Sequence, residues 1–388
     1  MKASFGGVII APISLKRSQF EDLRRIVLRT IPKDQILILT NVPKVPASLT
    51  SVLREVSRRY NVPMEELRFH AQALRSLNLI DYGEAPNFKG VELTELGLFV
   101  MDLTTEDQAI LAGDLVQTKT GVKPLGQLLK DIRKNILQMV AEAGSGHLGA
   151  SMSIVDILVI LYFMKMKHDP ANPDWTERDR LILSKGHAAP ALYAVLSEAG
   201  YFPEDELYSL RELGSRLHGH PDTVTPGVDV ATGSLGQGLS VAVGMALAAK
   251  MDEASHRIYV VLGDGELHEG QVWEAAMTAA HYGLDNLVAI VDRNQYQLTS
   301  TTEQVKSVEP VSEKWRSFGW NVINVNGHDV YAVLDALEVC EHAKGEPSVI
   351  VAKTTKGKGV SFMEGNRFSR SIPNASQLRQ ALEELEGE

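Results

Sequence analysis

Four short, uninterrupted apolar runs after residue 180 constrain the fold of this chain more than any other feature. Runs of this length without polar alternation are typical of strands that are buried on both faces of a parallel sheet. Helical apolar patterns lie between them. The runs are at 181–183, 258–262, 287–291 and 349–352, and the clearest helical patterns are at 238–250 and 271–282. This alternation predicts a doubly wound α/β domain.

A separate small domain is predicted before this α/β part, and a length of 388 residues suits two domains better than one. A helix, a turn, a second helix, two short strands and a third helical run are indicated at 49–59, 60–63, 64–78, 79–82, 91–93 and 94–101. This order resembles the winged-helix family over about residues 48–103. We therefore expect a small α+β winged-helix-like domain at 1–107 and the α/β domain at 108–388.

The charge distribution bears on nucleic-acid binding. The chain holds 39 Lys and Arg against 49 Asp and Glu, a formal net charge of −10, and residues 1–107 are close to neutral. The acidic excess therefore lies in the α/β domain and argues against general nucleic-acid binding there. Two interpretations of the small domain stay open: it contacts a protein or caps the body, or it binds DNA through Arg68, His70 and Arg75 of its second helix. Its near-neutral charge favours the first.

The cysteine content and the lack of a recognisable export signal predict a soluble, cytoplasmic protein. The one cysteine, Cys340, excludes an internal disulfide and favours a reducing compartment. The opening apolar run at 5–13 is interrupted by Gly6, Gly7 and Pro12, is far too short to span a bilayer and has no small-residue cleavage site after it. We expect neither export nor a membrane partner.

Polar residues that follow two of the apolar runs carry the clearest chemistry. Gly263-Asp264-Gly265 comes directly after the second run, and Asn294 follows the third run closely. Ligands of an open parallel sheet bind at the carboxyl ends of its strands. A carboxylate and an amide oxygen suit Mg²⁺, which takes few protein ligands and completes its octahedron with phosphate oxygens and water. The two glycines let backbone amides approach a diphosphate closely.

The context of this motif gives it a family resemblance. Taken alone, Gly-Asp-Gly is common turn chemistry. With a preceding buried run and an asparagine 30 positions after the aspartate, the segment 263–294 resembles the thiamine-diphosphate fingerprint. Residues 263–275 are similar to transketolases in particular, and related stretches run from about 144 to 365.

The resemblance implies a coenzyme, a metal ion and the residues that hold them. Thiamine diphosphate and Mg²⁺ are the implied cofactors, and the implied ligands of the ion are Asp264, Asn294 and the backbone carbonyl of Tyr296. Gly265 and Asn294 are implied contacts of the diphosphate. The loop at 231–238 resembles the loop that meets the coenzyme, through Gly233, Ser234 and Leu235. A glycine-rich loop that opens a helix is also a ready anion site in its own right.

Three histidines and two glutamates form a second set of candidates. His147, His187 and His220 each follow a glycine, and histidine moves protons near neutral pH, although one such histidine by itself is more often structural. The resemblance assigns His187 mainly to the diphosphate, and His147 and His220 to the hydroxyls of the donor sugar. It also implies that Glu269 and Glu274 link paired active sites across a dimer interface. Their alternative interpretation is as exposed helix carboxylates.

One departure from the family pattern follows the segment at 356–364. Transketolases place another histidine after this segment, and alignment on the Pro-Asn pair at 373–374 puts Ser369 in its place. The substitution removes one donor to the diphosphate and one proton-handling group. Arg367 and Arg370 restore part of the positive charge. The substrate therefore does not follow from the resemblance.

The resemblance also implies a partner chain. In transketolases the coenzyme lies between two α/β domains from different chains, and the second domain grips the pyrimidine with an activating glutamate. Residues 367–388 are too few to supply that domain, so the sequence resembles the N-terminal chain of a split transketolase. We expect two of these chains to assemble with two partner chains that carry the pyrimidine-binding domain. The implied reaction transfers a two-carbon ketol unit from a ketose phosphate to an aldose phosphate.

Two alternatives stay open. The first is a two-subunit enzyme that decarboxylates a 2-keto acid and passes the acyl fragment onward, against which the segments at 144–148 and 219–221 favour a transketolase. The second is a winged-helix regulator whose α/β body senses thiamine diphosphate or a sugar phosphate. The intact metal-site residues favour an enzyme over this regulator, whereas Ser369 supports the regulator.

Overall fold

The computed structural model describes most of the second half of the molecule and parts of the first. The described residues are 48–60, 62–77, 79–82, 91–94, 115–298, 300–365 and 372–387, together with Gln35, Ile38, Leu39 and Val42. The chain divides into two units between Leu115 and Val116. The predicted boundary after residue 107 lies outside the described residues and stays a prediction. Ser369, Arg367 and Arg370 also lie outside them.

The first unit contains two helices and a short antiparallel strand pair among its described residues. Helices α1 (Leu49–Tyr60) and α2 (Met64–Ser76) precede strands β1 (Ile80–Asp81) and β2 (Glu92–Leu93), and Ile80 lies opposite Leu93. These elements confirm the predicted helix, turn, helix and strand order. Buried apolar residues of both helices share one core with Ile38 and Leu39. The predicted helical run at 94–101 lies outside the described residues except for Thr94, so the winged-helix assignment stays a prediction.

The second unit is built on a five-stranded parallel sheet, whose strands in order across the sheet are β10 (Asn321–Asn326), β11 (Ser348–Lys353), β7 (Leu287–Arg293), β6 (Ile258–Gly263) and β5 (Arg180–Leu183). Two further strand pairs lie outside this sheet. They are β3 (Leu115–Thr118) with β4 (Gly121–Pro124), and β8 (Tyr296–Gln297) with β9 (Ser300–Thr301).

Helices cover both faces of the sheet. In chain order they are α3 (Leu125–Glu142), α4 (Leu148–Met152), α5 (Val155–Ile160), α6 (Ala189–Ala199), α7 (Gln237–Met251), α8 (Gly270–His281), α9 (Thr302–Val305), α10 (Val311–Ser317), α11 (Val330–His342) and α12 (Ala375–Gly387). One core contains side chains of α3, α5, α6 and α11 together with Val288 and Ile290 of β7. The opposite core contains side chains of α7, α8 and α10 together with Leu287, Ala289 and Val291. The predicted doubly wound α/β domain is confirmed.

Burial on both faces explains why four strands could be predicted and one could not. The four apolar runs became β5, β6, β7 and β11, whose residues are almost all buried. Strand β10 lies at an edge of the sheet, is only partly buried and reads Asn-Val-Ile-Asn-Val-Asn, so it carries no continuous apolar run. Because all five strands are parallel, their carboxyl ends lie along one edge of the sheet. Among the described residues, no helix has both the length and the apolar character needed to cross a membrane.

We predict that Ile290→Ala lowers the free energy of unfolding by about 2–5 kcal/mol, because it removes a fully buried side chain from the middle strand of the sheet and leaves a cavity. Urea unfolding followed by circular dichroism measures the change. The control is Val339→Ala on α11, where the valine is 52% exposed. An equal loss of stability in both variants would contradict the assignment of Ile290 to the core.

Candidate active site

The carboxyl edge of the sheet opens into a cleft of about 360 Å³. Loops that follow β5, β6, β7 and β11 contribute to its walls, as do α4 and the glycine-rich loop before α7. The cleft is lined by His147, Ala150, Lys185, His187, His220, Gly233, Leu235, Gly263, Asp264, Gly265, Glu266, His268, Glu269, Asn294, Tyr296, Gln297, Leu298 and Lys356.

Most of the residues predicted for the site therefore line this cleft, and two do not. Ser234 is exposed in the same loop as Gly233, and Glu274 is exposed on α8. Glu269 lines the cleft and is also exposed to solvent. The cleft brings the predicted residues together without testing what each one does, so their individual roles stay predictions.

The two predicted metal-binding side chains are held in place by hydrogen bonds. One Asp264 oxygen accepts the Gly265 N–H at 2.7 Å, and the other accepts the Gln295 N–H at 2.6 Å and Arg293 Nη1 at 2.8 Å. Burial and the nearby Asp292 carboxylate raise the pKa of Asp264 to about 6, against the opposing effect of Arg293. Asn294 Oδ1 accepts the Tyr296 N–H at 3.0 Å.

A fully buried carboxylate, Asp292, ties these loops together. One of its oxygens accepts hydrogen bonds from Ser153 Oγ at 2.8 Å, from Asn294 Nδ2 at 2.7 Å and from the Lys185 ammonium, and the other accepts from Thr354 Oγ1. Burial alone would raise the pKa of Asp292, but the charge of Lys185 and these donors lower it. Asp292 is therefore ionised and connects the segments that follow β5, β7 and β11.

Glu266 holds the glycine-rich loop in a similar way. One of its oxygens accepts the Gly236 N–H at 2.8 Å and the Ser184 hydroxyl, and the other accepts the Gly263 N–H at 2.9 Å. Gly236 has a φ of +86°, and a Cβ there would lie 2.7 Å from Glu269 Cβ. The turn before α7 thus requires glycine, and the buried Glu266 side chain holds its backbone through the Gly236 N–H.

The three predicted histidines differ in their surroundings. The rings of His147 and His187 meet edge to face with centroids 5.2 Å apart. Burial, assisted by the charge of Lys185, lowers the pKa of His187 to about 3, so this ring is neutral at physiological pH. His220 is the most exposed of the three, and the partial loss of its hydration together with the charge of Arg211 lowers its pKa from the ordinary value.

The cleft fits a diphosphate and a cation. Gly265 lines the cleft, and a Cβ there would lie 2.7 Å from Gln297 Cβ, so only glycine fits at this position. Lys356 adds positive charge to the walls, whereas the charge of Lys185, which also lines the cleft, is paired with Asp292. Within the described ranges, no group of three or more His, Cys, Asp and Glu side chains is arranged to hold a metal ion. A cation here would therefore depend on phosphate oxygens as well as on Asp264 and Asn294, which is how Mg²⁺ is usually bound.

Comparison with known proteins identifies the family. Residues 126–378 match the family described as transketolase, thiamine diphosphate binding domain. The chain belongs to the transketolase family. It is 48% identical over 259 residues to the 6-deoxy-6-sulfo-D-fructose transketolase subunit SqwG of Clostridium sp. (strain MSTE9), covering 66% of this chain and 94% of the relative. It is 44% identical over 254 residues to one of the subunits of the apulose-4-phosphate transketolase of Phocaeicola vulgatus, covering 65% of this chain and 90% of the relative.

Solved transketolase structures match the same part of the chain. The transketolase of Campylobacter jejuni aligns with a TM-score of 0.64 and 37% identity, over 67% of this chain and 43% of that one. This transketolase chain thus spans less than half the length of that relative. Thiamine diphosphate is the coenzyme of the matched domain, and Mg²⁺ is the usual partner metal in transketolases. The predicted family and cofactors are confirmed.

Several cleft residues of this transketolase were not predicted from the sequence. They are Lys185, Glu266, His268, Gln297 and Lys356. His268 Nδ1 lies 3.1 Å from Gln297 Oε1 and links the turn after β6 to the loop after β7. The sequence positions of the two lysines could have indicated that they belong to the site. Lys185 directly precedes Gly186-His187, and Lys356 begins the glycine-containing segment after the last apolar run.

We predict that Asp292→Asn lowers the free energy of unfolding by about 3–5 kcal/mol, because it leaves the Lys185 ammonium buried without a counter-charge. The double variant Lys185→Met/Asp292→Asn removes both charges and should recover much of this loss. Urea unfolding of the three proteins checks the prediction. A double variant no more stable than Asp292→Asn alone would show that the ion pair is not the source of the effect.

Proposed function

We propose that this chain is the diphosphate-binding subunit of a transketolase that transfers a two-carbon ketol unit from a ketose phosphate to an aldose phosphate. The observation that carries the proposal is the placement of Asp264 and Asn294 at the ends of adjacent parallel strands, in a cleft with lysine, histidine and glycine backbone on its walls. The relatives support it, because two proteins named as transketolase subunits match over nine tenths or more of their length.

The charged end of the coenzyme is the part that this chain would hold. We assign Mg²⁺ to Asp264, Asn294 and the backbone carbonyl of Tyr296. The diphosphate would meet His187, Gly265 and the loop at 233–235. The neutral state of His187 lets it donate a hydrogen bond without adding charge. When bound, thiamine diphosphate supplies the nucleophilic carbon that accepts the two-carbon unit.

We assign the remaining predicted residues to the sugar and to the contact between two copies of this chain. We assign His147 and His220 to the hydroxyls of the donor sugar, where an imidazole accepts and returns protons. Glu269 and Glu274 would lie where two copies meet. The pyrimidine-binding domain belongs to the partner chain, and we propose an assembly of two chains of each kind. Cys340 is a free, buried thiol, which suits the cytoplasm in which we place the enzyme.

The relatives favour ketol transfer over the alternatives. Two of them are named for transfer reactions of a sulfonated and of a phosphorylated sugar, so a substrate panel should contain both kinds of anionic ketose and pyruvate as the 2-keto acid. The regulator alternative depends on residues 1–107, of which the structure describes only parts.

Calorimetric titration of thiamine diphosphate with Mg²⁺ tests the half-site directly. We predict weak binding to the chain alone, tight binding after it is mixed with its partner chain, and loss of binding in Asp264→Ala, because that carboxylate is the charged ligand of the ion. Glu274→Ala, exposed on α8, serves as a folded control that retains at least the weak binding of the single chain. Tight binding by Asp264→Ala would overturn the proposed metal site.

His220→Ala tests the assignment of proton transfer. We predict that kcat falls by about 10²- to 10⁴-fold, whereas the affinity for thiamine diphosphate changes much less, because we assign His220 to the sugar hydroxyls and not to the coenzyme. Steady-state kinetics of the assembled enzyme with a ketose donor measures kcat. The neighbouring exposed His218 provides the control, since it does not line the cleft. Unchanged turnover in His220→Ala would remove this histidine from the mechanism.

A further inference from the structure

The segment that follows β11 brings a lysine into the cleft. We call residues 354–360 the lysine loop. Lys356 is 8% exposed and lines the cleft. The turn after it needs glycine, because Gly357 has a φ of +78° and a Cβ there would lie 2.6 Å from the Met363 carbonyl oxygen. The path of the backbone around Lys356 is therefore one of the factors that determine where its ammonium lies.

Several hydrogen bonds hold that backbone. The Lys356 carbonyl accepts the Gly365 N–H at 2.8 Å, and the two residues before Lys356 are held by side chains. The Thr354 hydroxyl donates to Asp292, which also holds Asn294. The Thr355 N–H donates to His328 Nε2 at 2.8 Å. His328 lies between β10 and α11, far from the cleft-lining residues in sequence. Its ring thus holds the peptide group between Thr354 and Thr355, one residue before Lys356.

The state of this histidine is determined by what it contacts. Because Nε2 accepts the Thr355 N–H, the ring proton is on Nδ1, which lies 2.8 Å from Asp156 Oδ2. The same Asp156 oxygen accepts from Arg133 Nη2 at 2.6 Å. Burial alone would raise the pKa of Asp156, but Arg133 and His328 lower it, so the carboxylate stays ionised.

Arg133 also supports the lysine loop from beneath. A Cβ at Gly359 would lie 3.0 Å from Arg133 Cδ, so the backbone of the loop passes directly over this side chain. Arg133, Asp156 and His328 come from α3, α5 and the segment before α11, and two of them are almost completely buried. Together they form a hydrogen-bonded group of side chains against which the lysine loop packs.

We propose that His328, oriented by Asp156 and Arg133, is a positioning residue that fixes Lys356 in the cleft for binding of the coenzyme diphosphate. The proposal rests on the proposed function, because it takes thiamine diphosphate as the ligand. His328 does not line the cleft and acts only through the Thr355 peptide group. Loss of its acceptor nitrogen removes the hydrogen bond at the Thr355 N–H and widens the range of positions that the lysine side chain occupies, while the hydrogen bond at the Lys356 carbonyl remains.

Three substitutions of His328 distinguish the contribution of Nε2, which accepts the Thr355 N–H, from that of Nδ1, which contacts Asp156. In His328→Leu both contacts are lost. In His328→Asn the shorter amide still reaches Asp156 but not Thr355, and in His328→Gln the amide oxygen takes the place of Nε2. We expect the first two to weaken thiamine diphosphate binding to the assembled enzyme by about tenfold, and the glutamine variant to restore most of the affinity. Calorimetry in Mg²⁺, repeated with inorganic pyrophosphate, measures the change.

A double-variant cycle tests whether the effect passes through the lysine. In a Lys356→Met background, His328→Leu should cause no further loss of affinity. His342→Leu, an exposed histidine on α11, is the matched control and should bind as the unaltered protein does. Equal losses in the Lys356 and Lys356→Met backgrounds, or no rescue by glutamine, would overturn the positioning role.

Hydrogen exchange tests the contact independently of coenzyme binding. The Thr355 amide should exchange faster in His328→Leu and His328→Asn than in His328→Gln, with or without ligand. Unchanged exchange would overturn the proposal. Faster exchange in an assembly whose unaltered form binds neither thiamine diphosphate nor pyrophosphate would instead reject the proposed function and leave the His328 contact standing.

Discussion

The buried ion pair between Asp292 and Lys185 is the interaction on which the site depends. The register of the sheet places Gly263 of β6 and Ala352 of β11 on either side of Asp292, so the segments that follow all three strands start beside one carboxylate. Burying that charge is unfavourable unless it is fully hydrogen-bonded, and here the lysine and three neutral donors satisfy it. Each donor belongs to a different segment at the carboxyl edge, so satisfying the charge also sets the relative positions of those segments.

The sequence predicts the parts of this arrangement whose signals are local. Burial on both faces leaves uninterrupted apolar runs, which is why β5, β6, β7 and β11 were predictable, whereas the edge strand β10 alternates with asparagine and was missed. Asp264 and Asn294 were predictable because each follows a strand directly. The resemblance to transketolases supplied the histidines and the coenzyme, which spacing alone would not have given.

The missed residues share a physical reason: their roles come from contacts between distant segments. Lys185 and Asp292 are separated by 107 positions, and Glu266 reaches Gly236 over 30. His328 has no local pattern that distinguishes it from any histidine before a helix. Ser234 and Glu274 present the reverse case, because they were predicted from the sequence but their exposure in the structure does not test the prediction. A hydroxyl that contacts a coenzyme and a carboxylate that lies at an interface between chains are both exposed when neither is present, and so is an ordinary surface side chain. Exposure therefore does not distinguish the predicted roles of Ser234 and Glu274 from no role.

Two buried carboxylates, Asp292 and Asp156, act on neighbouring residues of the lysine loop. Asp292 holds Thr354 directly, and Asp156 holds Thr355 through His328. Both contacts form when the chain folds, so the entropy of ordering this segment is lost in folding and not again when a ligand binds. A diphosphate is strongly hydrated, and a cleft whose donors are already fixed replaces that hydration better than mobile lysines do.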